Sequence, residues 1–355
     1  MDDQWIDDAV EVRKGEELDF QKVEAFLRDS IPGLTGEMLL KQYPGGHSNL
    51  TYSVRFENRN LVLRRPPFGT KAKSAHDMSR EYRVLKALRP VYPYCPNPVV
   101  FCDDPVVMGC PFYVMDRIKG VILRRNPPRG WSLSPDQVRT LFEKVIETHH
   151  ALHAIDYRMI GLENFGKPEG YVRRQVEGWI GRYRAARTPD APDFESVMAW
   201  LSEHQPPDSD RPCVIHNDFK FDNIVLDPAD PLRIIGVLDW EMATIGDPLM
   251  DLGSSLGYWV EKGDPEEMQA IRTLPTHLEG ALTRREVVEH YAALSGRPMA
   301  HFEFYYGFGL FRLAVIAQQI YFRFYHGQTQ DKRFQTLIIA VTVLEKTAKR
   351  LLDLG

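Results

Sequence analysis

Residues 216 to 223 read His-Asn-Asp-Phe-Lys-Phe-Asp-Asn, and a further acid, Asp239, follows a strand-like run in Val237-Leu238-Asp239-Trp240. These two short segments hold most of the side chains needed to move a phosphoryl group from a nucleoside triphosphate onto a hydroxyl. That reaction is governed by positioning and charge neutralisation, so a few well-placed groups suffice. A carboxylate has to stand beside the acceptor hydroxyl to orient it and take its proton, and oxygen ligands have to hold Mg²⁺ against the phosphates. Asp218 suits the first role. Asn223 can place an amide oxygen on the metal from the same tight loop, and Asp239 offers the hard anionic oxygen that Mg²⁺ prefers. Lys220 adds a cation for the transferring phosphate, whose negative charge is spread over its oxygens. His216, by its spacing, suits a hydrogen bond that braces the loop rather than a chemical step.

The rest of the chain has to position these groups. With 355 residues and 43% hydrophobic content it can bury one large core or two lobes. No stretch approaches the roughly 18 apolar residues of a membrane span, and Met1-Asp2-Asp3-Gln4-Trp5 lacks the basic start and apolar core of a secretion signal. A cytoplasmic protein is expected. Cys95, Cys102, Cys110 and Cys213 form no C-x-x-C pair and no zinc spacing, so they read as reduced thiols. The net charge of −5 argues against a general nucleic-acid binder and leaves small molecules as the expected partners.

Patterning divides the chain. The first eighteen residues are acidic and form an arm. Leu18 to Leu27 suits a short helix, and Leu50 to Phe56 alternates as a half-buried strand whose partner is Leu61 to Arg64 across an Asn58-Arg59-Asn60 turn. A helix from about His76 to Arg89 and strands at Pro98 to Cys102 and Pro111 to Met115 complete a small sheet domain. Helical periodicity then dominates at Pro135 to Ile155, Val172 to Arg187, Phe194 to Glu203, Leu249 to Val260, Arg284 to Ser295, Phe302 to Tyr325 and Phe334 to Leu352. Only Cys213 to Asp239 interrupts with strands, at Cys213 to His216, Ile224 to Leu226 and Arg233 to Leu238.

The pattern H-x-D-x-K-x-x-N made by His216, Asp218, Lys220 and Asn223, followed after a hairpin by Asp239, resembles the aminoglycoside phosphotransferase and choline kinase-like family. The resemblance implies an α+β, protein-kinase-like bilobal fold, with a small antiparallel-sheet N-lobe and a larger, mainly helical C-lobe. It divides the chain into an arm at 1–18, an N-lobe at 19–115, a hinge at 116–120 and a C-lobe at 121–355. It also implies ATP and Mg²⁺ as cofactors, and it directs attention to nucleotide-holding parts. Gly45 and Gly46 let a turn approach phosphate oxygens, with Ser48 and Asn49 as added donors. Arg64 stands where kinases place a phosphate-gripping lysine, and Val62 shares its strand face and can pack on the adenine. Arg65 is the competing candidate for that role, although its side chain is expected to leave by the opposite face. Glu81 can brace Arg64 from the helix, and the stretch through Met115 to Ile118 would meet the adenine through backbone groups. Asp251 is expected to cap or anchor a helix, and His149 and His153 to serve as framework rather than as zinc ligands.

The acceptor is suggested by charge. Arg173, Arg174, Arg182, Arg184 and Arg187 face a single acid, Glu177, and Arg124, Arg125 and Arg129 follow the hinge. Such charge repels a cationic aminoglycoside and suits an anionic acceptor. The helix over Phe302 to Tyr325, with Arg312 and Arg323, is a candidate wall of that pocket. The segments Gly45 to Tyr52 and Val62 to Pro67 are similar to the kinase-like domain fused to some acyl-CoA dehydrogenases, which implies a hydroxyacyl-CoA type of acceptor. The alternatives are an aminoglycoside phosphotransferase and a catalytically silent nucleotide-binding module.

Overall fold

Alternating burial in the first third of the chain builds one antiparallel sheet. The computed structural model describes residues 5–44, 49–68 and 77–354. After helix α1 (Phe20–Ser30) come β1 (Leu39–Gln42), β2 (Leu50–Arg55) and β3 (Asn60–Arg65), then helix α2 (Met78–Leu88), β4 (Pro98–Cys102), the single turn α3 (Pro105–Met108) and β5 (Phe112–Asp116). The strand order is β1-β2-β3-β5-β4. One face closes over Val23 and Leu27 of α1 with Tyr52, Val54, Leu61, Leu63, Phe112 and Val114. Strand period two therefore sends Val62 and Arg64 to the other face, where Val62 lies opposite Met115 and Arg64 opposite Tyr113. Helix α2, N-capped by Asp77, packs on β4 and β5. The arm is stitched on: Val10 bridges to Gln42, and the Tyr52 hydroxyl donates to the Glu16 carbonyl at 2.7 Å.

Beyond β6 (Val121–Ile122) the helices take over: α4 (Pro135–His153), α5 (Tyr171–Ala186) and α6 (Glu195–Glu203) lead to β7 (Cys213–Ile215), β8 (Ile224–Leu226), β9 (Ile234–Val237) and β10 (Thr244–Gly246). The chain ends with α7 (Pro248–Leu256), α8 (Glu266–Ile271), α9 (Arg284–Ser295), α10 (Phe302–Tyr325) and α11 (Leu337–Leu351). Capping boxes fix the starts of α4 (Ser134 with Gln137) and α9 (Thr283 with Glu286). None of the described helices is long and apolar enough to cross a membrane.

Strands were expected only between Cys213 and Asp239 in the helical part, and the structure corrects this. β6 pairs with β8 ahead of that interval, and β10 pairs with β7 just after it. Two- and three-residue strands are too short to show a period. By contacts the chain forms two units, Met1–Ile122 with Ile224–Ala243, and Leu123–Asn223 with Thr244–Gly355. The β8–β9 hairpin groups with the first unit because β8 pairs with β6 and the Val237 amide donates to the Tyr94 carbonyl at 2.7 Å.

In the second unit α10 is apolar nearly all round and packs against α5, α7 and α11. It crosses α7 at glycines. A Cβ added at Gly309 would overlap the carbonyl oxygen of Gly253, whereas one added at Gly307 meets only the Leu352 side chain. Gly309→Ala should therefore cost roughly 1–3 kcal/mol of stability in urea denaturation, and Gly307→Ala less than about 1 kcal/mol in either direction. Equal effects of the two would show that the crossing does not depend on bare backbone.

Candidate active site

The loop after β7 is built around one buried acid. Asp251 is 0% exposed in the first turn of α7, whose N-cap is Asp247. Its two oxygens take the backbone N–H groups of His216 and Asn217, each at 2.7 Å. The Nε2 atoms of His149 and His153 stand 3.0 and 3.1 Å from its Oδ2, and His153 Nδ1 lies 2.8 Å from the Tyr291 hydroxyl. Burial alone would raise the Asp251 pKa, but His149, through its electrostatic pull and hydrogen bond, and His153, through its hydrogen bond, hold it well below the usual carboxylate range. His153, driven down by burial and then by His149, falls to about 3 and is neutral. The three groups lie within 4.8 Å of one another, a spacing that a metal could use, yet backbone amides already engage both carboxylate oxygens. The cluster is a hydrogen-bonded anchor. Asp251 thus ties down a loop, whereas the helix-capping duty falls to Asp247.

From this anchor the loop turns sharply. Asn217 is held at φ +64, a conformation that asparagine tolerates, and its carbonyl accepts from Arg312 Nη2 at 2.5 Å. The Asp218 amide donates to His216 Nδ1 at 3.2 Å, the bracing expected of His216. Asn223 then folds back, its Nδ2 donating to the Asp218 carbonyl at 2.8 Å and to Asp218 Oδ2 at 3.0 Å. With both amide hydrogens committed, Oδ1 is the Asn223 atom left for a ligand. Lys220 Nζ is 3.1 Å from Asp218 Oδ2 and 3.8 Å from Asp222 Oδ1, and it lies 4.8 Å from the ring centre of Tyr258. Burial works to discharge Lys220, but Tyr258, Asp218 and Asp222 outweigh it and the pKa is raised. Asp222 is itself pushed up by burial, against the pull of Lys220. Asp218, Lys220 and Asn223 therefore come together within the second unit.

The first unit gathers the other candidates. Arg64 Nη1 donates to Glu81 Oε1 at 2.5 Å, and its Nη2 lies 3.1 Å from Asp239 Oδ1 and 3.3 Å from Glu241 Oε2. Glu81 is 2% exposed, and burial raises its pKa against the opposing charge of Arg64. Asp239 sits at φ +68 just before a 3₁₀ turn, with Trp240 behind it donating to the Val237 carbonyl at 2.8 Å. Non-glycine residues in this region of backbone space are uncommon and cluster at functional loops. Val62 and Met115 are cross-strand partners, and Ile118 packs on Gly236. Asn49 is buried and donates to Glu241 Oε2 at 2.7 Å. Gly45, Gly46 and Ser48 lie outside the described residues. Arg65 leaves by the other face, its guanidinium 3.7 Å over the Phe68 ring.

Asp222, Tyr258 and Glu241 were not anticipated. Glu241 had a signal, being an acid two residues beyond Asp239, but without the turn nothing shows that both reach one arginine. The donor chemistry fits Mg²⁺. The carboxylates of Glu81, Asp239 and Glu241 gather on the guanidinium of Arg64 and bring hard oxygen donors of the kind Mg²⁺ takes. Asp239, 36% exposed at its side chain, presents hard oxygen with no sulfur or imidazole beside it among the groups Arg64 gathers.

Known proteins share this arrangement of elements. The model of the phosphotransferase enzyme family matches residues 39–285. Acyl-CoA dehydrogenase family member 10 of Mus musculus is 33% identical over 327 residues, covering 91% of this chain but 30% of the mouse protein. The chain thus spans under a third of the length of that relative. A crystal structure from Ralstonia eutropha bearing the name aminoglycoside phosphotransferase has TM-score 0.80 and 28% identity, over 95% of this chain and 99% of that one. Choline kinase from Cryptosporidium parvum has TM-score 0.66 at 14% identity, over 94% and 97% of the two chains, a likeness of fold alone. The α+β, protein-kinase-like architecture expected from the motifs is the one these structures have.

The buried anchor has a pH signature. His153 titrates at about 3 in the folded chain and near 6.5 when unfolded, so between these values the unfolded chain binds more protons. Stability should be full above pH 6.5 and fall on acidification toward pH 3, with His153 contributing about 1.4 kcal/mol per pH unit. Urea titrations of His153→Gln should show a slope shallower by one proton's worth. Identical slopes in parent and variant would rule out a neutral His153.

Proposed function

This chain belongs to the phosphotransferase enzyme family, and we propose that it moves the γ-phosphoryl group of ATP to a hydroxyl of a small anionic acceptor. The observation that carries this reading is the fixed carboxylate of Asp218. Asn223 holds one of its oxygens at 3.0 Å and Lys220 stands at 3.1 Å from the same atom, so the side chain is locked before any substrate arrives. In the proposed reaction Asp218 orients the acceptor hydroxyl and takes its proton as the bond to phosphorus forms. Lys220, kept charged by its neighbours, lies against the transferring phosphate. Arg64, braced by Glu81, holds phosphate oxygens, and Val62 with Met115 packs on the base. Asn223 and Asp239 would hold Mg²⁺, which when bound neutralises phosphate charge. Gly45, Gly46, Ser48 and Asn49 remain the proposed phosphate-covering turn, and Ile118 part of the adenine-facing stretch.

For the acceptor we favour a hydroxylated acyl thioester of the hydroxyacyl-CoA type. The basic residues of α5 and its neighbourhood support an anion, and so does the likeness to relatives named as acyl-CoA dehydrogenase family members, whose longer chains carry more than this one. The likeness to the Ralstonia structure favours a second reading, an aminoglycoside acceptor. A silent nucleotide-binding module is the least favoured, because the Asp218, Lys220 and Asn223 geometry is intact. A cytoplasmic setting, where ATP is supplied, and partners limited to small molecules go with this proposal.

Phosphorylation screened across hydroxylated acyl thioesters and aminoglycosides should yield product with the thioesters, and product with aminoglycosides alone would overturn the acceptor assignment. Asp218→Asn should lower kcat by about 10²–10⁴-fold while nucleotide affinity stays within about threefold. Asp239→Ala should instead weaken Mg²⁺-dependent ATP binding by at least about tenfold in calorimetry. An Asp218→Asn variant as active as the parent would remove the proposed base.

A further inference from the structure

The arginines of α5 are not equivalent. Arg174 donates to the carbonyls of Lys167 and Glu169, Arg184 pairs with Glu195 at 2.7 Å, and exposed Arg173 lies 3.9 Å from Glu177. Arg182 has no carboxylate within ion-pairing distance among the described residues. Its guanidinium lies over the indole of Trp179, 4.6 Å from the ring centre. From α10, Arg312 brings a second guanidinium to the same indole at 5.1 Å. Arg312 is 3% exposed and fixed through Nη2 to the carbonyl of Asn217, the residue preceding Asp218. Its charge also reaches Tyr258, the ring beneath Lys220.

Two like charges on one aromatic ring repel, and the Arg182 pKa is lowered, first by partial burial and then by Arg312. An indole offsets part of that cost through cation–π attraction, but it brings no negative charge. An oxyanion would bring it, accepting N–H groups from both guanidinium heads. Arg312 is tied to the loop through Asn217, whereas the Arg182 side chain is exposed.

We propose that Arg182 and Arg312, gathered on Trp179 beside the loop of Asp218, form the subsite that takes the oxyanion, carboxylate or phosphate, of the acceptor. The purpose assigned to this subsite rests on the phosphotransferase reading, but its existence does not. Arg182 is then a specificity residue, selecting acceptors that carry a negative group some distance from the reacting hydroxyl.

The test begins with binding. The full chain, saturated with Mg²⁺ and ADP to fill the nucleotide elements, is titrated calorimetrically with inorganic phosphate and, separately, with succinate. The expected result is saturable binding of at least one probe, weakened about tenfold or more in Arg182→Gln, the worth of one charge-assisted contact. Arg182→Lys should recover part of the loss, and Arg285→Gln, an exposed arginine of α9 paired with Glu289, should bind as the parent does. Tighter binding of phosphate supports a phosphorylated acceptor, and tighter binding of succinate a carboxylated one. No saturable binding of either probe, or equal binding by Arg182→Gln and the parent, overturns the subsite. Transfer to hydroxy acids is measured in parallel, with Arg182→Gln expected to raise KM more than it lowers kcat. If binding depends on Arg182 but the parent phosphorylates no alcohol, the subsite stands and the phosphotransferase reading falls.

Discussion

The second unit depends on a single buried negative charge. Removing the Asp251 carboxylate from water is costly, and that cost is met only because every one of its neighbours is a donor: two backbone amides and two imidazole nitrogens. The consequence for the chemistry is geometric. With His216 and Asn217 pinned by their backbone, Asn217 is confined to a left-handed conformation, and the side chain of the next residue, Asp218, has one direction to leave by. A carboxylate that must accept a proton at a defined place gains from being set in position by backbone bonds rather than by its own mobile torsions.

That anchor in turn needs α7 and α4 to be placed to within a fraction of an ångström. Helix α4 supplies His149 and His153 one turn apart, and His149 stacks on Phe219 at 4.0 Å, so the same helix touches the loop just after Asp218 and, through Asp251, holds it just before. Helix α7 is located by α10, which approaches it so closely that glycine is required on both. Helix α10 also carries Arg312, the clamp on the Asn217 carbonyl. Packing far from the loop and hydrogen bonding within it are therefore one system, in which a misplaced helix axis would displace the catalytic candidates.

The residues that were legible in the sequence are those whose chemistry is intrinsic to their type. Asp218, Lys220, Asn223 and Asp239 announce themselves because few reactions use two acids, an amide and a lysine at that spacing. The long helices were legible from period, and the sheet from alternation. The supporting partners were not. Asp251 lies four residues after Asp247 in Ile-Gly-Asp-Pro-Leu-Met-Asp-Leu, and only the fold shows that the first acid caps the helix while the second points inward to the loop. Asp222 and Tyr258 were hidden for the same reason: their role is defined by distance to Lys220, which chain separation does not encode. β6 and β10 escaped because pairing, not periodicity, makes a strand of two or three residues.

The first unit poses the opposite electrostatic problem to the second. Around Asp251 an anion is satisfied by donors, whereas around Arg64 one cation faces the carboxylates of Glu81, Asp239 and Glu241. Glu81 is the buried member and takes the shortest bond, so it fixes the arginine on its face of the sheet. Asp239 and Glu241 come from one turn and share the other guanidinium nitrogen, at longer distances. Bonds of unequal length to one head group divide the labour: the buried acid positions, and the partly exposed pair stays exchangeable. Asp239 is the acid that would hold a divalent ion there, while Glu81, bonded to the other guanidinium nitrogen, would keep Arg64 braced.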